Sequence, residues 1–241
     1  MVLLTSYLPA LIESNISNNK AIDGERSDRV SNDVRLGPVL HGVGIEIIDI
    51  SGCSFAGRFS KIAYIDLERV RVLRIDNNSF VGSFPSVGGT REFKSLTLFS
   101  ASSNHFSGTI PWNMFTGNLV EVDVSSNQLV GDIPTTIKEF TNLDLLNLAD
   151  NELSSTIPTT LGLLTYLRKL ELQGNQLSGS LPSDIGRMES LEYLDVSQNH
   201  LSGTVPHEFE HLHVLRKWTT DCVYLCVCVC VCVYCMFVCI C

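Results

Sequence analysis

The chain has 241 residues, a formal net charge of −9, and 44% hydrophobic against 18% charged residues. That is enough apolar sequence for one sizeable core. The acidic balance, with no Arg- or Lys-rich patch, excludes a nucleic-acid partner, because phosphate binding needs basic surface.

In chain order, residues 1–40 come first and stand apart. MVLLTSYLPALI is apolar but has neither a basic start nor a small-x-small cleavage site, so it is a weak match to a signal peptide. ESNISNNKAIDGERSDRVSNDVR is polar and of mixed charge, and reads as a flexible leader.

From residue 41 a repeat takes over. Its first unit, IEIIDISGCSFAGRF, is degenerate: Ile45, Ile48, Ile50 and Phe55 take apolar roles and Cys53 stands where later units have asparagine. The next places Asn78 before Phe80, Gly82 and Pro85. Five clear units follow: SLTLFSASSNHFSGTIP, NLVEVDVSSNQLVGDIP, NLDLLNLADNELSSTIP, YLRKLELQGNQLSGSLP and SLEYLDVSQNHLSGTVP. Their asparagines, Asn104, Asn127, Asn151, Asn175 and Asn199, are almost evenly spaced. Self-similarity at a period of about 24 residues predicts a solenoid. The L-x-L core alternates apolar and polar residues, as a short strand with one buried face requires. Asparagine at the bend after the strand can satisfy backbone groups of adjacent coils. Asn78, Asn104, Asn127, Asn151, Asn175 and Asn199, with Cys53 in the same slot, are therefore expected to form a structural ladder, and Cys53 reads as a buried residue within it. A seventh unit opens with Pro206, Phe209, Leu212 and Leu215. Trp218 and Thr220 then replace the strand leucines, and no asparagine follows. The repeat domain is accordingly placed at 41–217, with about six or seven units of that period.

The template L-x-x-L-x-L-x-x-N-x-L-x-G-x-I/L/V-P resembles the plant-type leucine-rich repeat, whose mark is the G-x-I-P segment. The resemblance covers Ile45 to Leu215. It implies an α/β repeat solenoid, a horseshoe with short parallel strands on the concave face and irregular or 3-10 segments on the convex face. It also implies non-catalytic recognition of a protein or peptide, as in the ectodomains of leucine-rich-repeat receptor-like proteins and kinases, often with a co-receptor. In that family a cap with paired cysteines usually precedes the repeats; here no cysteine precedes Cys53.

Residues 218–241 form a Val/Cys-rich tail. The stretch 222–241 contains eight of the nine cysteines and no charge, glycine or proline. As a helix it would span about 30 Å, so hydropathy predicts a transmembrane segment. Arg216 and Lys217 precede it, which favours the repeats on the cytoplasmic side. A translated run of alternating G and T bases would also spell Val-Cys-Val-Cys, which makes the tail a candidate gene-model artefact and the chain a candidate fragment of a larger receptor. Thiolate metal binding by the C-x-C spacing and a disulfide scaffold are weaker readings.

One motif points to chemistry. His207-Glu208-Phe209-Glu210-His211 matches H-E-x-x-H, with His213 close by, the spacing of zinc hydrolases. The repeat register accounts for it better: Phe209 falls where Ile185 and Leu161 sit, on the convex side. No metal, cofactor or catalytic residue is expected, and Gly88-Gly89 lacks the Lys-Ser/Thr of a phosphate loop. Two sequons, at Asn15 and Asn77, read as incidental; a glycan at Asn77 would obstruct the concave side.

Function is expected on the concave face. Residues between the two strand leucines form a column: Asp49, Arg74, Ser100, Asp123, Asn147, Glu171 and Asp195. On one side lies the small polar column from Ser51 to Ser197, and on the other a column ending in Leu145, Lys169 and Tyr193. Asp123, Asn147, Lys169, Glu171, Tyr193 and Asp195 are the expected partner-binding residues, for a peptide or protein patch carrying Lys or Arg. The expected location is the membrane or cell surface, with insertion through 222–241. A cytoplasmic or secreted soluble scaffold or enzyme inhibitor is the alternative.

Overall fold

The computed structural model describes residues 46–59, 68–84 and 93–220. The leader, the sequon at Asn15, the Gly88-Gly89 loop and the 222–241 tail lie outside these residues.

Each L-x-L core forms a three-residue strand, and the strands stack in parallel into one eight-stranded sheet in sequence order. They are Ile47–Asp49, Val72–Arg74, Leu98–Ser100, Glu121–Asp123, Leu145–Asn147, Lys169–Glu171, Tyr193–Asp195 and Lys217–Thr219. The middle residue of each points into the core: Leu73, Phe99, Val122, Leu146, Leu170 and Leu194 are 0–2% exposed. Burying such a side chain contributes about 1.5–3 kcal/mol, and only the neighbouring coils can cover it.

The repeat runs one strand further than its pattern. Lys217–Thr219 pairs with Tyr193–Asp195, with Trp218 opposite Leu194, so the expected boundary after residue 217 falls inside a strand. Trp218 takes the leucine slot by packing its ring on Phe209, 5.6 Å between centroids.

A second sheet was not expected. Seven short strands directly after the ladder position also pair in parallel: Ala56–Arg58, Ser79–Gly82, His105–Thr109, Gln128–Gly131, Glu152–Thr156, Gln176–Gly179 and His200–Leu201. Their inward column is Phe80 and Phe106, then Leu129, Leu153, Leu177 and Leu201, with Phe55 just ahead of the first strand in the same column. The ring of Phe80 stacks on those of Phe55 and Phe106 at 6.2 and 6.0 Å. The template glycine takes a left-handed φ in or just beyond these strands and ends three of them, at Gly82 (82°), Gly131 (99°) and Gly179 (78°); Ser155 occupies the same slot at 77° without glycine's freedom.

The closing prolines then start the convex side. Pro134, Pro158, Pro182 and Pro206 each cap a five-residue 3-10 turn: Thr135–Glu139, Thr159–Leu163, Ser183–Arg187 and His207–His211. Proline's fixed φ suits this entry, and its missing N–H is not needed there.

Candidate functional site: the concave sheet face and its asparagine ladder

The ladder fixes where the concave residues stand. The carboxamide of Asn151 donates to Val124 O of the preceding coil (3.0 Å) and to Leu148 O and Ala149 O of its own, and accepts from Leu129 N–H at 3.0 Å. Asn78, Asn104, Asn127, Asn175 and Asn199 repeat this arrangement, each accepting from the N–H two residues past the previous ladder position. Every donor and acceptor of the side chain is therefore spent on holding two coils at one spacing. Cys53 differs from the expectation of a buried ladder residue. It is half-buried, and among the described residues its thiol donates within its own coil, to Ser51 O at 3.5 Å. A thiol has one weak donor and cannot reproduce the four bonds of a carboxamide. Burial, and then the Asp49 charge, pushes the thiol pKa up, so Cys53 holds its proton at neutral pH.

Strand pairing puts the expected columns in register across the sheet. Asp49, Arg74, Ser100, Asp123, Asn147, Glu171 and Asp195 pair one with the next, and Thr219 extends the row. Several of these carboxylates are held by the next polar column: Asp123 accepts from Ser125 N–H (3.0 Å) and Oγ–H (2.7 Å), and Asp195 from Ser197 N–H (3.1 Å) and Oγ–H (2.6 Å).

The charges divide the face into two parts. Arg74 lies 3.9 Å from Asp49, and Lys169 lies 2.6 Å from Glu171. Glu121 and Asp123 have no cation partner among the described residues, which leaves an acidic spot at the middle of the sheet. Beyond it Tyr193 is gripped from both sides. Lys169 Nζ stands 5.3 Å and Lys217 Nζ 4.8 Å from its ring centre, and Lys217 also donates to the Tyr193 hydroxyl at 3.2 Å. That bond raises the Lys217 pKa above the usual lysine value. Tyr193 Oη donates in turn to Asp195 Oδ2 at 3.4 Å. The structure thus brings Lys169, Glu171, Tyr193 and Asp195 together, and sets Asp123 and Asn147 on earlier coils of the same row. Lys217 was missing from the expected set. Its signal was present, since Arg216-Lys217 falls one repeat after Glu192-Tyr193.

The convex HEFEH segment has a different geometry from a zinc hydrolase helix. It is a 3-10 turn, where residues four apart no longer share a face. His207 and His211 are exposed and lie beside Glu208 (3.3 Å) and Glu210 (3.8 Å) respectively. Among the described residues no group of His, Cys, Asp and Glu is placed to hold a metal.

Comparison with known proteins agrees with this architecture. Leucine-rich-repeat family models match residues 117–177 and 190–212. The repeats are leucine-rich repeats, similar to those of plant receptor-like proteins. Receptor-like protein 35 of Arabidopsis thaliana is 33% identical over 144 residues, covering 58% of this chain and 14% of that protein. Receptor-like protein 53 of the same plant is 32% identical over 140 residues, covering 58% and 13%. The leucine-rich-repeat chain thus spans about a seventh of the length of these relatives. Among solved structures, the ectodomain of the Arabidopsis receptor kinase HAESA, in complex with an extended IDA peptide hormone, is 31% identical with a TM-score of 0.63. It covers 72% of this chain and 29% of that one. The plant peptide hormone receptor RGFR1, in complex with RGF2, is 36% identical with a TM-score of 0.59, covering 64% and 25%.

Proposed function

We propose that this leucine-rich-repeat sheet recognises a peptide or protein segment carrying Lys or Arg, without catalysis, as the binding surface of a receptor-like protein at the cell surface. The observation that carries the reading is the unbroken eight-stranded face, which sets the Glu121/Asp123 spot in one row with the Tyr193 cluster. A cationic side chain of the ligand pairs with the acidic spot, where complementary charge gives on-rate and specificity. Tyr193, held rigid between two lysines, supplies the aromatic anchor that dominates such interfaces. The likeness to receptors solved with peptide hormones supports a peptide as the ligand class. Signalling then passes through a co-receptor, and residues 222–241 anchor the chain in the membrane with the repeats on the outer side, against the orientation that Arg216 and Lys217 by themselves favour.

Two measurements test this. Binding of Lys/Arg-rich peptides, by calorimetry, should weaken at least tenfold in Asp123→Ala and in the Tyr193→Ala/Asp195→Ala double variant, and should fall with added salt. Unchanged binding in both variants sinks the concave-face reading. Alkaline carbonate extraction tests the anchor separately: release into the soluble fraction favours the soluble scaffold or inhibitor.

A further inference from the structure

The rim of the first coils carries a feature that the recognition surface does not use. Asn77, Asn78 and Ser79 form an Asn-x-Ser sequon at the bend after strand Val72–Arg74. The two asparagines have opposite environments. Asn78 is buried, with its carboxamide bound to Phe55 N–H and to the carbonyls of Ile50, Ile75 and Asp76. A substituent on that nitrogen would break the ladder. Asn77 is exposed and left-handed at φ 52°; its backbone N–H is bound to Ser102 O, and its side chain is left outside the coil. Ser79, which completes the motif, is exposed as well. Sequence alone made this motif incidental; the fold puts its acceptor nitrogen at the surface and its neighbour in the core.

We propose that Asn77 carries an N-linked oligosaccharide. The proposal rests on the cell-surface reading, because the modification requires passage through the secretory route. The donor class is an oligosaccharide linked to a lipid pyrophosphate. The Asn77 Nδ2–C1 bond forms as the bond from C1 to the pyrophosphate oxygen breaks; the lipid pyrophosphate leaves and the amide nitrogen gives up one proton. Asn77 stands one residue past Asp76, beside the Asp49–Arg74 end of the acidic row. A bulky, solvated glycan there shields the first coils. The ligand footprint is then confined to the coils from Glu121 to Lys217, where the acidic spot and the Tyr193 cluster lie.

The full chain with an epitope tag is expressed in leaf cells. Peptide mass mapping, before and after enzymatic deglycosylation, reads Asn77 separately from Asn15, and surface biotinylation reads location. The expected result is a glycan on Asn77 that disappears in Ser79→Ala and returns in Ser79→Thr; both substitutions are at an exposed position and leave Asn77 and the ladder in place. A surface-labelled chain with unmodified Asn77 overturns this proposal alone. An unlabelled chain with unmodified Asn77 overturns it together with the cell-surface reading.

Discussion

At the scale of the residue, asparagine is chosen for its capacity. One short carboxamide donates to three carbonyls and accepts from one N–H, and two of those four partners belong to the preceding coil. No aliphatic residue of similar size can do this, and a dry backbone group costs about 1–3 kcal/mol. The cost should scale with how completely water is excluded. Asn151 is 7% exposed, while Asn199 is half-buried and its freed groups can be solvated. Urea unfolding should therefore show Asn151→Ala losing about 2–4 kcal/mol, and Asn199→Ala distinctly less. Equal losses would mean that the bonds inside the coil, rather than burial, set the ladder's worth. The bend before most ladder residues adds a cost of its own, with Gly52 and Gly174 sparing Cys53 and Asn175. Asn77, Ser103, Ser126, Asp150 and Gln198 all sit at φ 52–55°, a region that side chains with a Cβ enter at a penalty.

At the scale of the element, what the sequence made legible follows the strength of its periodic signal. The concave strands were readable because leucine, isoleucine and valine recur at fixed offsets from asparagine, and even the column between them came out in register. The second sheet was not, because strands such as His105–Thr109 and Glu152–Thr156 carry a single buried apolar residue among Ser, Thr and Gly. Their pairing comes from stacking, which a single strand does not encode. The last strand was hidden for a related reason: Trp218 breaks the leucine pattern but fills the leucine volume. Lys217 went unnoticed with it. The convex turns contain another message that composition conceals. A Cβ on Gly162 would stand 2.1 Å from the carbonyl oxygen of Asp184, and one on Gly186 2.3 Å from that of Glu208. These glycines let backbone lie against backbone, so each turn is packed by the next. Lys138 holds the equivalent slot in the preceding turn, which shows that the template itself does not demand glycine there. Gly162→Ala should cost about 1–3 kcal/mol in urea unfolding, since the clash is with main chain and nothing flexible can yield. Gly117→Ala, whose Cβ would meet Glu139 O at 2.9 Å, should cost less. A neutral Gly162→Ala would show that the turns slide past each other freely.

At the scale of the whole molecule, contacts between the described coils run almost entirely to the immediate neighbour, with the Phe59–Phe106 ring contact at 6.2 Å as an exception. Sheet pairing, the ladder, the Phe55–Phe80–Phe106 stack and the edge ion pairs all run to the neighbour. Those pairs run from Asp144 through Arg168 and Glu192 to Arg216, and the Arg168 hydrogen bond holds the Asp144 carboxyl below its usual pKa. Such a molecule behaves as a one-dimensional stack, with stability a sum over coils and their interfaces. Its opening should then be graded rather than uniform. Ile48 lies in the outermost described strand and touches one neighbouring strand, whereas Leu146 is fully buried between two. Leu146→Ala should cost about 2–5 kcal/mol. It should speed amide exchange on both sides of its coil, because the interface through which stability is passed runs across it. Ile48→Ala should speed exchange only near its own coil, at amides such as Ile50 N–H, which is bound to Arg74 O. The amides of Lys169–Glu171, several interfaces away, should keep their protection. If Ile48→Ala accelerated those distant amides as much as its own, the chain would open as a single unit, and the nearest-neighbour account would fail. The distinction matters for recognition, because the Tyr193 cluster and the Glu121/Asp123 spot lie on different coils. A ligand bound across both bridges interfaces that otherwise open separately, so its binding should show as added protection at the strands between them.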